Sequence, residues 1–573
     1  MPDWLTQADR EEAILVLKQN LTVAQMRTVI DRDVESLVVR TENAGGLYRS
    51  RIADNDLPGF LIDLKGTDLL NDRVLREQLV KNLPEDQIAT LASWGGDKPA
   101  RGKGDRIDQI VGRRWVAGKR WPRYFASFLG FPKIFAGLVG SPEGPAVEEV
   151  EPHIPLPELH DYQADLLLRI QQVLKSSSVE KNRAILSLPT GAGKTRTAVE
   201  ALLTWWDGNE MIKPYMLWIA QSDELCEQAV EAFREIWVDR GGKGSRKILR
   251  IFRFWGGHRA LPDVFADGVI VASIQKLNET IQSDEGRDEL TRIAEDIAVI
   301  VVDEAHHAVA PSYNAVLETL GILSGRGARS MTPLLGLTAT PYRGVIEEEN
   351  RRLAHRFHSQ LLVPSNLGDD PLLTLRERGV LSFIDHQVLQ TGRTFRLDDE
   401  EVQRFRQMGQ LPDSFLRKVG RDPQRNALLL QKLLEMPTDW PILCFGCSLE
   451  HARALAVLLH RSGRSAAFIS GETRRATRRY LIEQFRSGQI QILCNYGVLT
   501  TGFDAPKIRA IVIARPTTSV VLYEQMIGRG MRGPANGGTE KCLVIDLADN
   551  ITRFQGQMAY KRMEEYWEQA TEV

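Results

Sequence analysis

At 573 residues, with 43% hydrophobic and 26% charged residues, the chain is too long for one core and has the balance of a globular protein of two to four domains. A net charge of −2 excludes a general polycation, so any surface for a polyanion must be local. No apolar stretch nears the roughly 18 residues of a membrane span, no signal-peptide pattern opens the chain, and five scattered cysteines suit a reducing cytoplasm.

Residues 1–140 read as a mainly α-helical accessory domain, with helical apolar spacing over 11–32 and 69–91 and a loop or short hairpin over 41–58. Phe60-Leu61-Ile62-Asp63-Leu64-Lys65 is also similar to the Asp-x-Lys strand of restriction-type nucleases. From Lys98 to Arg123 nine basic residues oppose only Asp105 and Asp108, with Trp115, Trp121, Tyr124 and Phe125 interleaved. Charge plus rings is the composition of a nucleic-acid surface, for which Arg113, Arg114, Lys119 and Arg120 are the candidates; a protein-partner face is the alternative. Proline and glycine density over 141–157 marks a linker.

From 158 the pattern becomes short apolar strands alternating with helices. Strands are expected at 184–188, 215–220, 248–254, 268–272, 299–302 and 334–337, in a domain spanning 158–365. A charged connecting segment covers 366–425. A second series, at 441–445, 466–469, 490–494, 510–514 and 541–546, fills 426–552, and 553–573 is a C-terminal helix. The fold class is α/β: two tandem doubly wound parallel-sheet domains behind a helical N-terminal domain, which the motif resemblance given below implies are RecA-like. Cys444 and Cys447 form a C-x-x-C without a second pair, so they read as buried strand cysteines rather than a zinc site.

The chemistry sits at strand ends. Leu188-Pro189-Thr190-Gly191-Ala192-Gly193-Lys194-Thr195 is a glycine turn that aims backbone N–H groups at phosphate, with Lys194 for the β- and γ-phosphates and the Thr195 hydroxyl for Mg²⁺. Asp303 closes an apolar strand as a second Mg²⁺-directed carboxylate, and Glu304 is placed to polarise water. ATP and Mg²⁺ are the expected cofactors.

With both domains in view, six ordered segments over about 156–550 resemble the superfamily 2 helicases and translocases. Leu159-His160-Asp161-Tyr162-Gln163 is similar to the adenine-reading Q motif, which assigns Tyr162 and Gln163 to the nucleotide with Thr190, Gly191, Ala192, Gly193, Lys194 and Thr195. Asp303-Glu304-Ala305-His306 resembles motif II, and Leu337-Thr338-Ala339-Thr340-Pro341 resembles motif III, which implies coupling roles for His306, Thr338 and Thr340. Thr500-Thr501-Gly502-Phe503-Asp504-Ala505-Pro506 is similar to motif V, placing Gly502 and Asp504 near nucleotide. Gln525-Met526-Ile527-Gly528-Arg529-Gly530-Met531-Arg532 resembles motif VI, which makes Gln525, Arg529 and Arg532 the groups that close the site, the arginines as fingers. Leu-Thr-Ala-Thr-Pro-Tyr-Arg and Thr-Gly-Phe-Asp-Ala-Pro look most like the branch of type III restriction motors, XPB and RadD-type helicases.

The resemblance implies a DNA helicase or double-strand translocase in DNA repair or a phage-defence or restriction complex. An RNA-dependent ATPase and an ATP-switched clamp subunit of a larger complex are the rivals. Nucleic-acid contacts are implied at Gln221, Ser222, Ser273, Gln275, Ser448, Ser470, Gly471 and Thr500, with simple helix capping as the alternative for Ser273 and Gln275. The run Arg474-Arg475 and Arg478-Arg479 reads either as part of that surface or as a solvated helix face.

Overall fold

A computed structural model describes residues 5–138, 147–150, 158–208, 213–240, 248–258, 261, 267–322, 331–341, 347–368, 370–408, 410–499, 505 and 507–552. The first sheet contains β1 (Val147–Val150), β2 (Arg183–Ser187), β3 (Tyr215–Ala220), β4 (Leu249–Phe254), β5 (Gly268–Ser273), β6 (Ile297–Asp303), β7 (Leu334–Thr338) and β8 (Leu361–Leu362), in the order β1-β4-β5-β3-β6-β7-β2-β8. Seven strands run parallel, and β3, β5, β6 and β7 are buried throughout, as helices on both faces require. The pairings Ser187↔Thr338 and Asp303↔Leu337 bring the ends of β2, β7 and β6 together. Sheet register therefore fixes the relative placement of the residues at these strand ends.

The second sheet contains β9 (Phe383–Arg396), β10 (Ile442–Phe445), β11 (Ala466–Ser470), β12 (Ile492–Tyr496), β13 (Ala510–Ile513) and β14 (Lys541–Thr552), all parallel, in the order β11-β12-β10-β13-β14-β9. Three strands depart from the sequence expectation, the two-residue β8 and two longer ones. β9 lies in the charged stretch 366–425 and pairs along the length of β14. β1 lies in the 141–157 stretch and pairs antiparallel with β4. Both are edge strands, and β9 shows polar residues alternating with half-buried ones rather than an apolar run.

The N-terminal region is helical, but the 11–32 run breaks after the helix Gln7–Asn20, where Thr22 and Gln25 form a capping box for Val23–Val29. The 69–91 run breaks likewise at Asn82–Pro84, between Arg73–Lys81 and Glu85–Ala92. Phe60–Lys65 is not a strand. It lies in the helix Leu57–Lys65, and Asp63 is held by Arg10 at 2.9 Å and His460 at 3.0 Å, so the nuclease-like reading is corrected. The core of this region is completed by Ala454, Val457 and Leu458 of the second lobe. Acids facing that lobe meet its cations: Asp33–Arg421 at 3.1 Å, Glu42–Arg461 at 3.0 Å and Asp68–Arg474 at 3.6 Å. All five cysteines are free and buried, Cys444 within β10 and Cys447 just beyond it. No helix among the described residues is long and apolar enough to cross a membrane.

Candidate nucleotide site and nucleic-acid face

The glycine turn follows β2 directly. Gly191 and Gly193 have φ of 88° and 79°, the left-handed region that glycine enters without strain. At Gly193 there is also no room: a Cβ would stand 2.2 Å from Gln163 Nε2. Tyr162 Oη and Gln163 Nε2 both donate to Ala192 O, at 2.9 and 3.3 Å, while Gln163 Oε1 accepts from the His160 N–H. The two candidate adenine-reading residues thus brace the phosphate turn in this state, with both ends of the Gln163 amide engaged. The helix Lys194–Asp207 starts at once, so Lys194 and Thr195 sit in its first turn.

Asp303 ends β6, 5% exposed. Burial and the neighbouring Glu304 push its carboxyl up to about 7, against the pull of Lys194 and Arg529. For Glu304 burial pulls upward too, but Lys194, His306, Arg529 and His307 outweigh it and hold this carboxyl below its usual range. Glu304 reaches this place through a left-handed backbone (φ 51°), unusual for a non-glycine residue. The Asp303 and Glu304 carboxylates are oxygen donors of the kind a hard divalent cation takes, and the Thr195 hydroxyl at the start of the helix Lys194–Asp207 is a third candidate. From Glu304 a polar chain runs into β7. Its Oε2 lies 3.5 Å from His306 Nδ1, which lies 3.1 Å from Thr338 Oγ1, and Thr338 donates to Thr340 O at 2.9 Å. The three candidate coupling residues are therefore one network.

The second lobe meets the turn. A Cβ on Gly528 would stand 2.7 Å from Thr190 Cβ, so the glycine backbone packs directly on the Thr190 side chain. Arg529 lies close enough to pull on both carboxyls, and its Nε donates to Gln525 O at 3.3 Å. A Cβ on Gly191 would meet Arg532 Cγ at 3.6 Å. Three residues not singled out in the sequence finish the closure. Asn536 Nδ2 donates to Gly191 O at 3.2 Å, Leu381 lies over Gly191, and Ser382 Oγ donates to Arg532 O. They carry no motif, and only the chain path between the lobes brings them here.

Of the nucleic-acid candidates, Gln221, Ser222, Ser273 and Gln275 gather at the adjacent ends of β3 and β5, where Gln275 Nε2 donates to Gln221 O at 2.6 Å. Ser222, Ser273 and Ser448 each cap a helix through Oγ, accepting from Leu225, Lys276 and His451 N–H. Ser470 Oγ accepts from the Glu472 N–H, beside an exposed Gly471. Thr500, Gly502 and Asp504 lie outside the described residues.

The arginine run is paired across the lobes, with Arg475 and Arg479 still exposed and Arg478 largely covered. Arg475 pairs with Asp223, Arg478 with Glu224, and Arg479 with Glu227 at 3.8 Å, joining the helix Arg475–Arg486 to the helix Asp223–Arg240 across the lobes. The Arg478→Glu variant should raise KM for ATP about tenfold, and adding Glu224→Arg should restore most of the loss. A double-mutant cycle on kcat/KM checks this, and equal losses in the single and double variants would remove the pair from lobe closure.

Arg113 belongs to the N-terminal core. It donates to Ala92 O at 2.7 Å and Trp94 O at 3.0 Å, pairs with Asp97 at 2.8 Å and lies 4.9 Å over the Trp121 ring. Arg114, Lys119 and Arg120 are exposed.

Two family models match the chain: the type III restriction enzyme Res subunit over residues 156–343 and the helicase conserved C-terminal domain over 425–533. The putative ATP-dependent helicase IRC3 of Saccharomyces cerevisiae is 26% identical over 407 residues, covering 68% of this chain and 51% of that protein. The putative mitochondrial ATP-dependent helicase irc3 of Schizosaccharomyces pombe is 28% identical over 416 residues, covering 69% and 58%. The type I restriction enzyme EcoKI endonuclease subunit of Escherichia coli is 24% identical over 418 residues, covering 65% and 33%. The chain thus spans about half the length of the first two relatives.

Proposed function

We propose that this chain, which belongs to the superfamily 2 helicases and is related to their restriction-motor branch, is an ATP- and Mg²⁺-driven motor on DNA. The observation that carries the reading is Arg529: the second lobe sets its charge against the Asp303–Glu304 pair of the first, with Gly528 packed on the phosphate turn. Hydrolysis and lobe closure then share one set of residues. The turn N–H groups and Lys194 hold the phosphates, and Glu304 orients the attacking water and takes its proton. Arg529 and Arg532 stabilise the charge that spreads over the γ-phosphate oxygens. Thr195 and Asp303 are the residues that would hold Mg²⁺, which when bound would supply charge neutralisation to the phosphates. The His306–Thr338–Thr340 network passes the state of Glu304 to the sheet edge that faces the second lobe.

DNA is favoured over RNA because the first-lobe match is to a restriction-enzyme subunit and a restriction endonuclease subunit is among the relatives. The same kinship fits a place in DNA repair, restriction or phage defence. The test is ATP turnover alone and with single-stranded DNA, duplex DNA and RNA. Stimulation by DNA is expected. Stimulation by RNA alone would overturn the substrate, and no response to any polynucleotide would overturn the motor. Stimulation without strand displacement would point to translocation or clamping.

A further inference from the structure

The N-terminal region divides its charge by surface. Its acids Asp33, Glu42 and Asp68 are paired with arginines beyond the region, Arg421, Arg461 and Arg474. Its cations Arg114, Lys119, Arg120 and Arg123 are exposed and carry no ion pair among the described residues. In a chain of net charge −2, such segregation is how a local anion-binding surface is made. Three of the four, Lys119, Arg120 and Arg123, crowd the start of the helix Arg120–Phe128, whose first turn holds no acid. Cations there oppose the helix dipole, a cost that a bound polyanion relieves.

The place of this surface matters as much as its charge. A Cβ on Gly137 would stand 2.7 Å from Ala117 Cβ and 3.8 Å from Arg474 Nη1. The loop carrying Arg114 and Lys119 therefore abuts Arg474, which caps the helix Arg475–Arg486 just after the Ser470–Gly471 turn. The cations flank the face already assigned to nucleic acid.

The rings interleaved with these cations are not available to bases. Trp121 and Phe125 are buried, Trp115 lies under Arg76 at 4.4 Å and edge-on to Phe125, and Tyr124 packs among Trp94, Trp121 and Phe128. A single-strand platform draws its affinity from stacking on open rings. This surface offers charge alone, which suits the dense, regular phosphates of a double helix.

We infer that Arg114, Lys119, Arg120 and Arg123 form a phosphate-binding surface for duplex DNA beside the cleft, an assignment that rests on the motor reading above. The surface is sequence-independent and excludes Arg113, which the core consumes. The test compares the full chain with its R114Q/K119Q/R120Q/R123Q variant, measuring binding to a blunt 30-base-pair DNA and to a 30-nucleotide oligothymidylate across a KCl series. For the duplex, the slope of log K against log salt should fall in magnitude by about 3 and affinity near 100 mM should drop at least tenfold. Oligothymidylate binding and ATP turnover without DNA should stay unchanged. An unaltered duplex slope, or an equal loss on oligothymidylate, would overturn the inference. Wild-type turnover that ignores every polynucleotide would sink the motor reading instead, and the binding comparison would still decide this one.

Discussion

Replacing Glu304 by glutamine should leave ATP bound and slow its hydrolysis by about 10²–10⁴-fold, the usual worth of a general base. The amide matches the carboxylate in shape, so the left-handed turn at Glu304 and its packing against His306 should survive. What goes is the ability to accept a proton from water. The charges around the site sharpen the expectation. Glu304 is a principal reason, after burial, that Asp303 is pushed up to about 7. Neutralising Glu304 lets Asp303 ionise more readily, so the metal carboxylate is strengthened while the base is lost. Nucleotide affinity should therefore hold or rise, since one negative charge near the γ-phosphate has gone. Fluorescent-ATP binding and single-turnover hydrolysis separate the two effects. A glutamine variant that turns over at the wild-type rate would remove Glu304 from its role, and one that loses ATP binding would make the residue structural.

The sheets were legible because their central strands are buried on both faces, which forces apolar runs such as Ile297–Asp303. The candidate nucleotide-site residues stood out for a related reason: the glycine turn and the Asp303–Glu304 pair each follow such a run and form short contiguous motifs. Legibility failed where a residue's use depends on something distant in sequence. β9 alternates through Phe383–Arg396 with only Phe395 buried, so it reads as a charged connection until β14 is beside it. Asn536, Leu381 and Ser382 act on the glycine turn and on Arg532 only because the lobes meet there. Composition also cannot distinguish an arginine that faces water from one that closes a core. Arg113 and Arg114 are neighbours in sequence, yet Arg113 is locked by two carbonyls, Asp97 and two indoles while Arg114 is exposed. The same holds for Arg478, whose partner Glu224 lies 254 residues away.

The Arg529→Ala variant should lose about 10³-fold or more in kcat with little change in KM for ATP, the signature of a group used only in the transition state. Arg529 faces the first-lobe carboxyls in this state. Its Nε takes the Gln525 carbonyl, and its charge bears on Asp303 and Glu304 from across the cleft. That bearing has a definite sign. Arg529 lowers both carboxyls, so removing it raises both and leaves Glu304 a weaker candidate for the charged form near neutral pH. The loss should then shrink as pH rises, because higher pH restores the Glu304 carboxylate but cannot restore the missing guanidinium. Arg529→Lys separates these parts. A lysine keeps the charge, and so the carboxyl behaviour, but lacks the planar fork that reaches two phosphate oxygens at once. It should recover the pH profile while remaining at least about 10²-fold slow. If lysine restored full turnover, Arg529 would be an electrostatic neighbour of the carboxylates. The second lobe would then have no direct hold on the bond that breaks, and closure of the two sheets would be the consequence of ATP binding alone.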